Sequence, residues 1–188
     1  MARKSEHIII LGTNGTGKST LLKQLVEEAN KKGRRALIIT PDPVEWQGVE
    51  EIQPESQLLR QGGFTGVRKV VYYSEAETLE PISKYYFDGV LIFDDCRSYF
   101  GSQTHPVLKT IFIRRRQFMR DVVIVGHGFT DIPPQYFTYT TKFILFKTTD
   151  NMIKRKNTIS NFEAAQKVVE RVNRKAMSNP HYKEALKI

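Results

Sequence analysis

The sequence is poor in cysteine and contains no long apolar run. Cys96 is the only cysteine among the 188 residues, so it has no partner for an internal disulfide, which fits a reducing compartment. No apolar run approaches the roughly 20 residues needed to span a bilayer. Residues 1–6 leave no room for a signal peptide before the first apolar run. We therefore expect a cytoplasmic protein without a membrane span.

Acidic residues are also scarce relative to basic ones. The chain has 20 Asp and Glu against 29 Lys and Arg, a formal net charge of +9. This excess favours an anionic partner, most simply nucleic acid, although a generally basic surface would carry the same charge. A chain of this length can bury one sizeable core but is short for two, so we expect a single domain over residues 1–188.

The sequence is organised around a glycine-rich stretch at residues 12–20. Gly12 to Ser19 fits the pattern G-x-x-x-x-G-K-[ST], with an apolar β-branched run before it and leucines at helical spacing after it. This is the context of a Walker A loop (P-loop), whose backbone N–H groups surround phosphates. Lys18 is expected to reach the β- and γ-phosphates, Ser19 to ligate Mg²⁺ and Thr20 to contact the α-phosphate; the alternative is a glycine turn that fits by chance. The predicted ATP-binding residues are Gly12, Thr13, Asn14, Gly15, Thr16, Gly17, Lys18, Ser19 and Thr20.

Predicted strands and helices alternate along the chain. The strands cover residues 7–11, 35–40, 69–73, 89–95, 121–125 and 142–147; the helices run from the loop to 32, over 75–87 and 106–118, and as a basic amphipathic segment over about 160–177. This alternation predicts an α/β fold, a mainly parallel sheet flanked by helices. Residues 42–66 are difficult to interpret, and Trp46 among them is expected to anchor the segment rather than to stack on a base.

Two carboxylates follow the apolar run at 90–93. Asp94 has the position of a Walker B aspartate, which would hold Mg²⁺ through its water shell opposite Ser19. Asp95 is placed to orient or deprotonate an attacking water; alternatively it is a solvated carboxylate at the end of a strand.

His127 ends the next predicted strand, between two glycines. If that strand lies between the P-loop strand and the Asp94 strand, His127 lies beside the γ-phosphate and can donate a hydrogen bond to it or to the attacking water. A histidine flanked by glycines is equally compatible with a simple turn.

Basic side chains cluster just before this strand. A cluster of this kind forms a solvated face or meets phosphate, and in a ring one arginine could reach the nucleotide of the neighbouring subunit. The cluster consists of Lys109, Arg114, Arg115, Arg116 and Arg120.

Over about residues 7–147, these features resemble the FtsK–HerA group of DNA-pumping ATPases. Within the group, the chain looks most like phage and viral genome-packaging ATPases and the zonula occludens toxin-like proteins of filamentous phages. The family typically has an arginine eleven residues before a sensor glutamine, and Arg116 stands eleven before His127. Asp121 matches an aspartate that opens this strand in the toxin-like branch. His127 replaces the glutamine, and Asp95 stands where most of the group has glutamate, although the packaging branch often has an Asp-Asp pair.

The resemblance implies a RecA-like (ASCE) P-loop NTPase fold and Mg²⁺-dependent ATP hydrolysis. It implies a homo-oligomeric ring, a hexamer or pentamer, that moves double-stranded DNA, with a capsid or portal vertex as a further partner and the host cytoplasm or virion as location. The implied catalytic residues are Lys18, Asp95, His127 and Arg116. Lys18 would neutralise the phosphates, Asp95 would act on the attacking water, and His127 would sense the γ-phosphate. Arg116 would act in trans, on the nucleotide of the neighbouring subunit. Two other functions remain open: a small-molecule or nucleoside kinase, and a phage assembly or extrusion factor that uses ATP as a switch.

Overall fold

The structure is a computed structural model that describes residues 5–99 and 106–188. Its strands are β1 His7–Leu11, β2 Arg35–Thr40, β3 Val67–Val71, β4 Gly89–Phe93, β5 Arg120–Gly126, β6 Lys142–Leu145 and β7 Glu184–Lys187. Its helices are α1 Lys18–Lys31, α2 Gln57–Arg60, α3 Glu80–Tyr85, α4 Pro106–Ile113, α5 Pro134–Phe137 and α6 Phe162–Lys175.

The strands form one seven-stranded sheet in the order β3-β2-β4-β5-β1-β6-β7. Every pairing is parallel except that of β7, which runs antiparallel to β6. Because β5 lies between β4 and β1, the ends of these three strands meet at one edge of the sheet. Leu11 pairs with Gly126, and Phe93 pairs with Ile124. The predicted α/β architecture is confirmed.

The core lies on both faces of the sheet, because successive strand residues point to opposite sides. In β1, Ile8 and Ile10 belong to one buried cluster, and Ile9 and Leu11 belong to the other. The long helix α1 covers the Ile8 face with Leu21, Leu22, Val26 and Ala29. Helices α2 to α6 contribute to the opposite cluster. This arrangement holds β1 rigidly beneath the loop that follows it.

Two predicted helices are shorter than expected. Residues 75–87 form a π-helical turn, Glu75–Leu79, followed by α3, whose first turn contains Pro81. Phe87, the last residue of the predicted helix, is 41% exposed, and the Arg35 guanidinium lies 4.6 Å from its ring centroid. Helix α4 ends at Ile113 instead of residue 118, because the chain must turn to enter β5; Met119 adopts a φ of 51° in that turn.

The strands differ from the prediction in two further ways. Strand β4 stops at Phe93, so Asp94 and Asp95 belong to the loop after it. Strand β7 was not predicted at all. The polar sequence of residues 96–104 predicts a loop, and its part at residues 100–104 lies outside the described residues.

Candidate functional site

The loop between β1 and α1 is shaped by its glycines. A Cβ on Gly12 would lie 2.5 Å from the Cβ of Phe146 and 2.9 Å from Thr16 Oγ1, so a larger residue does not fit there. Gly17 adopts a φ of 98°, a left-handed conformation that favours glycine, immediately before α1. Thr13 N–H donates to the carbonyl of Lys147 (2.8 Å), and Thr16 Oγ1 donates to the carbonyl of Thr13 (2.8 Å). These contacts tie the loop to the end of β6.

Backbone N–H groups of this loop lack acceptors within the part of the chain that the structure describes. They belong to Asn14, Gly15 and residues 17–20. Several converging N–H donors at the start of a helix form an anion-binding nest, which the helix dipole reinforces. The loop therefore fits a phosphate chain.

Lys18 lies beneath the loop and is 8% exposed. Its Nζ donates to the carbonyl oxygens of Gly12 (2.6 Å) and Thr13 (2.9 Å). Burial, followed by the charge of Arg97, lowers the pKa of Lys18, and Asp94 acts in the opposite direction. The ammonium group is thus held at the loop, within reach of a phosphate that the nest would bind.

Asp94 is 6% exposed, and its Oδ2 accepts a hydrogen bond from Trp46 Nε1 (2.8 Å). Burial raises the pKa of Asp94, and the hydrogen bond from Trp46 opposes that shift. Trp46 itself is buried, so its predicted role as an anchor agrees with the structure. It also orients one of the two carboxylates, which the sequence did not indicate.

Asp95 has a φ of 48° and a ψ of 72°, a left-handed conformation that is unusual for a non-glycine residue and turns the chain out of β4. Its carboxylate accepts hydrogen bonds from Arg97, from Nε at 3.1 Å and from Nη2 at 3.5 Å. These bonds raise the pKa of Arg97. Asp95 Oδ1 also lies 3.9 Å from His127 Nε2.

His127 is held by its own backbone. The N–H groups of His127 and Gly128 both donate to Asp131 Oδ2 at 3.0 Å, which leaves the imidazole on the Asp95 side. Burial, and then the charge of Lys18, lower the pKa of His127. The imidazole is therefore neutral near pH 7 and can exchange a hydrogen bond with water or phosphate.

Most of the predicted site residues share one open cleft of about 530 Å³ at the edge where β1, β4 and β5 end. Gly12, Thr13 and Thr16 build the loop beneath it. The predicted residues that line the cleft are Asn14, Gly15, Gly17, Lys18, Ser19, Thr20, Asp94, Asp95 and His127.

Arg116 is not in this cleft. It precedes β5, whereas His127 follows β5, so the two residues lie at opposite edges of the sheet. Arg116 is exposed.

The other arginines of the cluster make hydrogen bonds within the chain. Arg120 is fully buried and donates to the carbonyls of Ile82, Ser83, Tyr86 and Ile111. Arg115 is 7% exposed and donates to the carbonyl of Phe112 (2.9 Å), while Arg114 is exposed and bonds Gln117 (3.1 Å).

Sequence reasoning missed two residues near the cleft. Arg97 could have been noticed from its position two residues after Asp95. His181 lines the cleft but is far from the motifs in the sequence, and only the pairing of β7 with β6 brings it there.

The described residues were also compared with the requirements of a protein-only metal site and of a membrane-spanning helix. Within residues 5–99 and 106–188, no group of three or more His, Cys, Asp or Glu side chains could hold a metal ion. In the same part of the chain, no helix combines the length and apolar character needed to cross a bilayer.

A P-loop after β1, with β5 inserted between β1 and β4, defines the RecA-like (ASCE) P-loop NTPase fold. A similar fold occurs in the genome packaging NTPase B204 from Sulfolobus turreted icosahedral virus 2. In complex with AMP it aligns with a TM-score of 0.76 at 16% identity, over 97% of this chain and 92% of that chain. The same protein in complex with ATPγS aligns with a TM-score of 0.70 at 13% identity, over 98% of this chain and 92% of that chain.

Two further comparisons also found similar proteins. The N-terminal domain of zonular occludens toxin from Neisseria meningitidis aligns with a TM-score of 0.50 at 15% identity, over 78% of this chain and 79% of that chain. The profile of the type IV secretion-system coupling protein DNA-binding domain matches residues 1–42, which include the P-loop. No curated protein matches the sequence. The predicted resemblance to packaging ATPases and toxin-like proteins is confirmed. Because the sequence identities are only 13–16%, the structural likeness shows a shared fold and no more.

Proposed function

We propose that this protein is a ring-forming, Mg²⁺-dependent ATPase that translocates double-stranded DNA, as a viral genome-packaging motor does. The observation that carries the proposal is the convergence of Lys18, Asp94, Asp95 and His127 in one cleft. The fold shared with the packaging NTPase B204 supports it.

The chain's own residues supply the groups that ATP hydrolysis needs. The free N–H groups of the loop and the Lys18 ammonium would neutralise the phosphates, with Lys18 exchanging its bonds to Gly12 and Thr13 for bonds to phosphate oxygens. Asp95 would orient the attacking water for in-line displacement, and neutral His127 would sense the γ-phosphate. Arg97 donates one hydrogen bond to each Asp95 oxygen, so each oxygen keeps a further lone pair that can accept a hydrogen bond from water.

Ser19 and Asp94 fit an Mg²⁺ ion because both offer oxygen atoms to the same cleft. The ion would supply charge neutralisation at the phosphate oxygens. Trp46 holds Asp94 in one orientation, so this carboxylate is positioned before a ligand arrives.

The ring and the DNA are inferred from surface features. Arg116 is exposed at the edge of the sheet away from the cleft, where it is available to a neighbouring subunit in a hexamer or pentamer. The net charge of +9 suits a ring that holds double-stranded DNA in its central hole. A capsid or portal vertex would be the docking partner, and the host cytoplasm or the virion would be the location.

The proposal is tested by measuring phosphate release from Mg-ATP with and without long double-stranded DNA. We expect ATPase activity that rises with DNA and disappears in Lys18→Ala. DNA binding should be independent of sequence, and log K should fall with log salt at about −0.9 per phosphate contacted.

Each alternative function predicts a different result. Nucleotide binding without turnover, with or without DNA, would favour the switch in a phage assembly or extrusion factor. Phosphate transfer to a small-molecule or nucleoside acceptor, with no DNA dependence, would favour the kinase.

A further inference from the structure

The segment that follows α6 returns to the nucleotide cleft. Strand β7 runs antiparallel to β6, and Glu184 pairs with Leu145. The first residue of β7 therefore lies at the edge of the sheet where β1 and β6 end, and the residues just before it lie beside the P-loop. His181 is one of them: it lines the cleft, and its Nδ1 would lie 3.3 Å from a Cβ on Gly17.

His181 lies across the loop from the carboxylates. Asp95 and His127 follow β4 and β5, on one side of β1, whereas β6 and β7 lie on the other side. Neighbouring strands are about 4.8 Å apart, so about 14 Å separates β5 from β7. If the terminal phosphate of a bound triphosphate faces Asp95 and His127, the rest of the molecule extends from the loop toward His181. Its nucleoside would then lie against this segment.

The backbone beside His181 is anchored, although the His181 side chain is exposed. Arg171 donates to both carboxylate oxygens of Glu184, from Nε at 2.8 Å to each. The Tyr182 hydroxyl donates to Glu184 (2.7 Å) and accepts from Lys175 Nζ (2.8 Å). The backbone that carries His181 is thus held beside the cleft, which lowers the entropic cost of placing this residue against a ligand.

We propose that His181 binds the nucleoside of the bound nucleotide, with its imidazole stacked on the base. This inference rests on the proposed nucleotide-binding function and adds the residue that distinguishes a nucleotide from a bare phosphate chain. A planar imidazole contributes a stacking surface that suits every base, so we expect it to add affinity more than base selectivity.

The test compares ATP with inorganic triphosphate, which has the phosphates and no nucleoside. Calorimetric titration should show that His181→Ala raises the Kd for ATP about fivefold or more, while the Kd for inorganic triphosphate is unchanged. His181→Phe, which keeps an aromatic face, should restore most of the affinity for ATP. Met177→Ala, a change at an exposed residue of the same segment, is the control and should alter neither Kd.

The outcomes separate this inference from the proposed function. An unchanged Kd for ATP in His181→Ala, or equal weakening toward ATP and triphosphate, would overturn the assignment to the nucleoside while leaving the P-loop function intact. Loss of both ligands in Lys18→Ala is expected if the P-loop binds phosphate. If the wild type binds neither ligand, the proposed function fails and the inference with it.

Discussion

If the proposed ring forms, we expect Arg116 to act on the nucleotide of the neighbouring subunit and not on the nucleotide of its own subunit. Strand β5 separates Arg116 from the cleft, and its seven residues span about 20 Å at about 3.3 Å per residue. Two unit charges at that separation in water interact by about 0.2 kcal/mol before salt screening. Arg116→Ala should therefore change the Kd for ATP of an isolated subunit by less than about twofold.

The same substitution should abolish most turnover in the assembly, since an arginine supplied in trans contributes about 10³ to 10⁵ in rate. The decisive assay mixes Arg116→Ala subunits with Lys18→Ala subunits, each inactive alone. In a random equal mixture, about one quarter of the interfaces in a head-to-tail ring join an intact Lys18 site to an intact Arg116. ATPase activity should recover to about that fraction of the wild-type value.

Arg114→Ala is the matched control, because Arg114 is the other exposed arginine of the same turn and already bonds Gln117. Wild-type turnover in Arg116→Ala, or a mixture that stays inactive, would refute the trans assignment. Loss of turnover in Arg114→Ala but not in Arg116→Ala would indicate that Arg114 is the arginine that acts in trans. Arg120 is a poor candidate because it is fully buried.

Two further predictions concern single carboxylates. Asp95→Asn should bind Mg-ATP normally and lose turnover by about 100-fold or more, as expected for a residue that acts on the attacking water, whereas Asp94→Asn should lose Mg²⁺-dependent binding of ATP. Titration with ATP in the presence and absence of Mg²⁺, together with single-turnover hydrolysis, distinguishes the two variants. Equal turnover in Asp95→Asn and wild type would remove Asp95 from the mechanism. The hydrogen bonds from Arg171 lower the pKa of Glu184 to about 2, so the stability that they add is present above the ordinary pKa of glutamate and is lost as the pH falls toward 2. The stability difference between wild type and Glu184→Gln, measured by thermal unfolding, should therefore shrink between about pH 5 and pH 2; parallel pH profiles would contradict this contribution.

The centre of the fold could be predicted from sequence because its signals are local. The apolar run before Gly12 and the leucines after Ser19 predicted β1 and α1 at almost their observed bounds. The insertion of β5 between β4 and β1 had been considered as a condition for His127 to reach the site, and the observed strand order satisfies it.

The remaining errors have physical causes that lie outside a local window. Strand β7 is four residues long and depends on pairing with β6, so its own sequence carries little signal. The helix over 75–87 looked continuous, but Pro81 cannot donate to a helical ladder and fits only near the start of α3. An apolar residue such as Phe87 favours the core on composition alone, but its ring contacts the Arg35 guanidinium at the surface.

Residues of the candidate site could be predicted where a local sequence motif indicates them. Residues that only the tertiary structure brings to the site could not. Asp94 and Asp95 followed from an apolar run that ends in two acids. Their partners did not, because Trp46 reaches Asp94 from a segment without clear pattern. Arg116 was chosen from its spacing alone, and its role remains a prediction.

Trp46 gives this protein an internal optical probe. It is the only tryptophan in the chain, so all indole emission comes from one buried ring whose N–H lies 2.8 Å from an Asp94 oxygen. Indole emission depends on nearby charge and on the hydrogen bond of its N–H group. The indole emission of the unlabelled protein should therefore respond to the state of the Asp94 carboxylate, so that events at that carboxylate can be timed without a dye or an engineered residue.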